Sequence, residues 1–155
     1  MIQRIQTVFL LLTAILMGVV ICCPIFEIID FSKFAIVYHT FDVGHMLNSK
    51  YPAWGLLPIA ILSFILPLVN IFFYKKRKLQ INLGLITALL IVIYYVVTIV
   101  YINAYLYEIE TAKMDFKLNL QFGIILPVIA LVFNLLAIYR IRKDEKLVKS
   151  LDRIR

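Results

Sequence analysis

Residues 81–106 read INLGLITALLIVIYYVVTIVYINAYL, twenty-six positions without one Asp, Glu, Lys, Arg or His. A helix that crosses the hydrocarbon core of a bilayer needs about 20 apolar residues, and this run exceeds that length. Three more stretches are equally free of ionisable side chains: 5–26, 53–74 and 121–139. None alternates as a lipid-facing barrel strand would. Main-chain polar groups in lipid must bond within their own segment, which selects helices. The expected fold is therefore an all-α membrane protein. It is a four-helix transmembrane bundle forming a single domain, 1–155, with outer loops at 27–52 and 107–120 and a tail at 140–155.

The rest of the composition agrees. Of 155 residues, 63% belong to the AVILMFWYC set and 16% are charged, with a mean hydropathy of +0.96. A soluble domain is roughly half apolar and about a quarter charged. One soluble core of this size cannot enclose so much apolar surface. Disordered chains are poor in aromatics, whereas this one has 14%.

Charge gives the sidedness. Twelve of the sixteen Lys and Arg fall at one set of span ends: Arg4, the run Lys75, Lys76, Arg77 and Lys78, and seven in the tail. The tail set includes Arg140, Arg142, Lys143, Lys146 and Lys149. The positive-inside rule then puts both termini and the basic turn in the cytoplasm. Lys and Arg at helix ends suit anionic inner-leaflet headgroups or a protein partner, and no nucleic-acid partner is expected. The first span is read as an uncleaved anchor, because its apolar run outlasts a signal h-region and no A-x-A site follows. Cys22 and Cys23 are adjacent, and an ordinary disulfide needs Cα atoms farther apart than neighbours can be.

An internal repeat emerges at an offset of 74: Gln6, Leu11, Thr13, Ala14 and Leu16 match Gln80, Leu85, Thr87, Ala88 and Leu90. More loosely, Gly55-Leu56-Leu57-Pro58 resembles Gly123-Ile124-Ile125-Leu126-Pro127, and Asn70 and Asn134 both lie shortly before the basic ends. Two hairpins of equal orientation would give a pseudo-two-fold axis along the membrane normal. The small-residue pairs Ala14…Gly18 and Gly84…Ala88 predict that spans 1 and 3 meet there. A homodimer face is the rival reading. Pro67 should kink span 2.

The first outer loop holds a β-prone core around Phe31–Phe41, and 114–122 alternates apolar with polar. These predict a small extracytoplasmic sheet of two or three strands over the bundle mouth. In the tail, Ile141, Leu147, Val148, Leu151 and Ile154 suggest an amphipathic basic helix that continues span 4, lies in the inner interface, which is the preferred reading, or docks on a cytoplasmic partner.

Candidates for chemistry are few. His39, Asp42 and His45 read H-x2-D-x2-H and are weak metal candidates. Their spacing diverges on a helix and splits across faces on a strand, so a solvated loop is the simpler reading. Tyr94, Tyr101 and Tyr105 share one face of span 3 and could line a cavity, although packing explains such a stripe as well. Asn70 and Asn134 suit interhelical hydrogen bonds of about 0.6–2 kcal/mol or a polar pair at a site. No catalytic residue and no cofactor is expected.

The chain ends are its most distinctive parts: Met1-Ile2-Gln3-Arg4-Ile5-Gln6-Thr7 and the stretch Arg142 to Arg155, RKDEKLVKSLDRIR. With four spans in about this length, the whole chain resembles the bacterial domain-of-unknown-function family numbered 4293. The resemblance implies a four-helix cytoplasmic-membrane protein and carries over no site residues. The function expected is a non-enzymatic accessory, scaffold or assembly subunit of an inner-membrane complex, with other membrane subunits or a second copy as partners. A carrier of a small apolar ligand, lipid or quinone, is the alternative. An outer-face enzyme using His39, Asp42, His45 or Glu108 comes third.

Overall fold

A computed structural model describes residues 2–30, 35–40, 55–74, 76–111 and 116–152. In chain order they form α1 (Ile2–Cys22), β1 (Pro24–Asp30), β2 (Ala35–His39), α2 (Leu56–Phe72), α3 (Arg77–Thr111), β3 (Phe116–Leu120) and α4 (Leu126–Asp152). A 3-10 turn, Phe122–Ile124, leads into α4. Among the described residues, three helical stretches are long and apolar enough to cross a membrane: Ile5–Cys22, Arg77–Ala104 and Phe122–Val148, the last including the 3-10 turn. The 17 residues of α2 form a shorter apolar helix, which rises roughly 26 Å at 1.5 Å per residue.

The first span ends earlier than the apolar run implies. Pro24 has no amide proton, and the residue before a proline disfavours helical geometry. The Cys23 amide makes the last helical bond, to the Val19 carbonyl at 2.9 Å. The chain then enters β1, so Pro24, Ile25 and Phe26 are strand rather than span. Proline is tolerated at the start of a strand, and the pairing register shifts between Pro24 and Phe26.

The small sheet is present and antiparallel, in the order β2-β1-β3. Glu27 pairs with Val37 on one side and with Asn119 on the other. Ile25 and Phe26 of β1 are buried on Val20, Leu56, Ala60 and Tyr94, which docks the sheet onto the helices. Of the β-prone stretch, Phe31, Phe34 and Phe41 lie outside the described residues.

The helices close a ring. α1 packs on α2 and α4, and α3 packs on the same two, so α1 and α3 stand diagonally. This corrects the expected seam between spans 1 and 3. The space left by Gly18 is filled by the Phe64 ring of α2, and that left by Gly84 by Ile138 of α4. Glycines near the two matched alanines thus seat adjacent helices, not each other. A diagonal α1/α3 is nonetheless what two repeated hairpins about a central axis require.

Of the forms expected for the tail, α4 takes the continuous one and not the preferred separate helix: it runs without interruption to Asp152. Its inward stripe explains this: Ala130, Asn134, Ala137, Ile138, Ile141 and Asp144 are all buried, at spacings of three and four that keep one helix face. Leu147, assigned from sequence to the apolar face, points outward. Pro67 sits buried inside α2, which runs on through it.

Large apolar side chains cover the outside. Val8, Ile15, Leu89, Val96, Val100 and Val132 are exposed, while Thr13, Ser63, Asn70, Thr87 and Asn134 are wholly enclosed. Water-soluble proteins show the reverse distribution; a lipid solvent permits it.

Candidate functional site

The enclosed amide and carboxylate side chains gather toward the basic end, and every helix contributes. α1 supplies Gln6, α2 supplies Asn70, α3 supplies Gln80, and α4 supplies Asp144 and Asn134. Gln6 Nε2 donates to Asp144 Oδ2, tying α1 to α4. Arg77 at the start of α3 donates from Nη1 to the Asp144 carbonyl oxygen at 3.2 Å. Across the ring, Asn70 Nδ2 donates to the Gln80 carbonyl at 3.1 Å, and Gln80 Nε2 returns a bond to the Asn70 carbonyl at 3.2 Å. This reciprocal pair clamps the short basic turn between α2 and α3. One turn along α3, Asn134 Nδ2 donates to the Gly84 carbonyl at 2.9 Å.

The hydroxyls are used locally. Thr13, Ser63, Thr87 and Thr98 each donate to the carbonyl four residues earlier, at 2.8–2.9 Å. Such back-bonding satisfies a buried hydroxyl without a partner helix. The Asn70 and Asn134 side chains do not bond to each other. Both reach α3, and both leave a buried Oδ1 without a hydrogen-bond partner among the described residues.

The sheet end is organised differently. Thr40 Oγ1 donates to the Val20 carbonyl at 3.0 Å and lies 3.2 Å from Tyr94 Oη. A hydroxyl has one proton, so Tyr94 is the donor to Thr40. Tyr95 donates its hydroxyl to the Ile124 carbonyl, and Gln121 Nε2 donates to Glu27 Oε2 at 2.9 Å. Tyr94 and Tyr101 pack in the apolar cluster under the sheet. Two members of the tyrosine stripe are therefore packing residues; the Tyr105 side chain lies outside the described residues.

Of the H-x2-D-x2-H residues, His39 ends β2 opposite Pro24, while Asp42 and His45 lie outside the described residues, as does the Glu108 side chain. No group of three His, Cys, Asp or Glu able to hold a metal gathers among the described residues. Cys22 and Cys23 are free thiols. Among the basic candidates, Lys76, Lys78, Arg140, Arg142, Lys143 and Lys146 are exposed and Arg77 is half-buried. Lys75 and the Lys149 side chain lie outside the described residues. Ala14 is buried at the ring interior, and Ala88 is half-buried.

Sequence reasoning missed Gln6, Gln80 and Asp144 as interior groups. For the two glutamines the signal was available, because they are matched positions of the repeat. Each joins the first helix of one hairpin to the second helix of the other.

Residues 2–154 match the family described as Domain of unknown function (DUF4293). The chain belongs to that family. The match spans both helical hairpins, the sheet and the tail, so the polar network described above lies wholly within the family's domain. No protein of curated function matches the chain.

Proposed function

We propose that the chain is a non-enzymatic integral membrane protein, an accessory, scaffold or assembly subunit of a larger inner-membrane complex. In this reading all four helices cross the bilayer. Both termini and the basic turn are cytoplasmic, and the small sheet lies on the outer side. The observation that carries it is how the interior polar side chains are engaged. Asn70, Gln80, Asn134 and the buried hydroxyls bond main-chain carbonyls of their own or adjacent helices. Groups held this way fix helix positions, which suits a framework better than a moving carrier. The tyrosine stripe that suggested a ligand cavity is, at Tyr94 and Tyr101, part of the packed cluster beneath the sheet.

The exposed basic side chains of α3 and α4 support the sidedness, since Lys and Arg near span ends are retained on the cytoplasmic face. Extraction in a gentle detergent from cells expressing the protein at its native level, followed by mass spectrometry, tests the proposal. Reproducible co-purification of specific membrane subunits is expected. Recovery as an isolated monomer would reject it.

A further inference from the structure

We propose that one water molecule, or two hydrogen-bonded to each other, is bound inside the helix ring between α2, α3 and α4, bridging the Oδ1 atoms of Asn70 and Asn134. Both atoms are buried, and both lack a hydrogen-bond partner among the described residues. Their amide nitrogens are anchored to the Gln80 and Gly84 carbonyls, four residues apart on α3, so the anchors are separated by little more than one helical pitch of about 5.4 Å. The two side chains therefore approach the same short stretch of α3 from opposite neighbours.

The local hydroxyls are already engaged. The Thr13, Ser63 and Thr87 hydroxyls donate to Phe9, Ile59 and Leu83 carbonyls. Gln80 Nε2 uses one proton on the Asn70 carbonyl. An unpaired buried acceptor costs about 1–3 kcal/mol, and two such acceptors within one small region are an expensive arrangement when dry. A carbonyl-type oxygen calls for a donor, and water supplies two. Buried waters typically make about three hydrogen bonds to groups of this kind. The second proton on Gln80 Nε2 is available to complete that set. The site lies toward the basic end, whereas the sheet end is filled by the apolar cluster of Val20, Ile25, Phe26, Leu56 and Tyr94. The ring is thus hydrated inside at one end and dry at the other.

Water-to-protein polarisation transfer by solid-state NMR, on the full chain labelled with carbon-13 and nitrogen-15 in lipid vesicles, tests this. The Asn70 and Asn134 side-chain amides should receive water magnetisation several-fold faster than the main-chain amides of Ile91 and Ala130, which are equally buried. In Asn134→Leu the early transfer to Asn70 should fall severalfold. Build-up at both asparagines as slow as at Ile91 and Ala130 would overturn the proposal, and so would a wild-type rate at Asn70 in Asn134→Leu. Where that variant fails to fold, the wild-type comparison alone decides.

Discussion

Gln6 in the first turns of α1 donates its side-chain amide to the Asp144 carboxylate near the end of α4, across 138 residues of chain. Both residues are buried, at 6% and 9% exposure. The bond closes the helix ring at its basic end, where the chain's first and last helices meet. Arg77 adds a second contact from α3 to the same turn of α4.

Removing one partner should cost more than weakening the pair. In Gln6→Leu the Asp144 carboxylate loses a buried donor, and an unsatisfied buried group costs about 1–3 kcal/mol, more when charged. Asp144→Asn keeps an acceptor for Gln6 and should lose clearly less. Thermal unfolding in a mild detergent should therefore rank wild type above Asp144→Asn, and Asp144→Asn above Gln6→Leu. Equal midpoints for all three would mean that the bond does not hold the ring closed.

The glycines give a graded test of helix spacing. A methyl at Gly123 would overlap the Pro24 carbonyl oxygen and come within 2.9 Å of its carbon, both main-chain atoms of the sheet entry. At Gly84 it would meet Ile138 Cγ1 at 2.8 Å, and at Gly18 the Phe64 ring edge at 3.2 Å. A side-chain end can shift; a paired main chain cannot without moving the strand. Overpacking typically costs about 1–3 kcal/mol. The destabilisation measured by unfolding should fall in the order Gly123→Ala, Gly84→Ala, Gly18→Ala. A Gly123→Ala variant as stable as wild type would contradict the close approach of the 3-10 turn to β1.

What could be read from the sequence follows from which interactions are local. The four apolar runs announce helices because length and composition can be read from each one separately. The β3 strand announces itself by alternation, since its period is set within five residues. Neighbour relations are not local. Gly18 and Gly84 each present a small surface, but which helix fills it depends on Phe64 and Ile138, from elements whose facing sides the sequence does not state. The end of α1 was legible at Pro24 and was obscured by apolar Ile25 and Phe26, which fit a span and a buried strand equally well. The tail is the converse case. Its own periodicity fits a separate amphipathic helix as well as a continuation, yet Ile141 and Asp144 continue the inward stripe begun at Ala130, and that continuity keeps it in line with the rest of α4.

At the sheet end, Thr40 is the hinge of a small relay: Tyr94 donates to its hydroxyl, and it donates in turn to the Val20 carbonyl. Tyr94→Phe removes only the first bond and leaves Thr40 bonded to Val20, so it should cost about 1 kcal/mol or less. Thr40→Val removes both bonds and leaves the buried Tyr94 hydroxyl and the Val20 carbonyl unpaired, and should cost about 1–3 kcal/mol. The double variant should be less destabilised than the sum of the two, because the first bond is lost only once. Strict additivity in a double-mutant cycle would show that the two hydroxyls do not interact.

The sidedness makes the last prediction. With Cys22 and Cys23 replaced by serine, single cysteines at exposed Lys76 or Arg142 should resist a membrane-impermeant maleimide in intact cells and react after permeabilisation. A cysteine at exposed Lys117 of β3 should react in intact cells. The physical basis is the uneven charge: twelve of sixteen Lys and Arg lie at one set of ends, for a net charge there of +9 against −2 at the other. Moving that basic set outward would oppose the retention of Lys and Arg on the cytoplasmic side during insertion. Labelling of positions 76 and 142 from outside, with protection of 117, would reverse the assignment and put the sheet in the cytoplasm. Labelling of 76 and 117 from the same side would instead show that α3 does not cross the membrane.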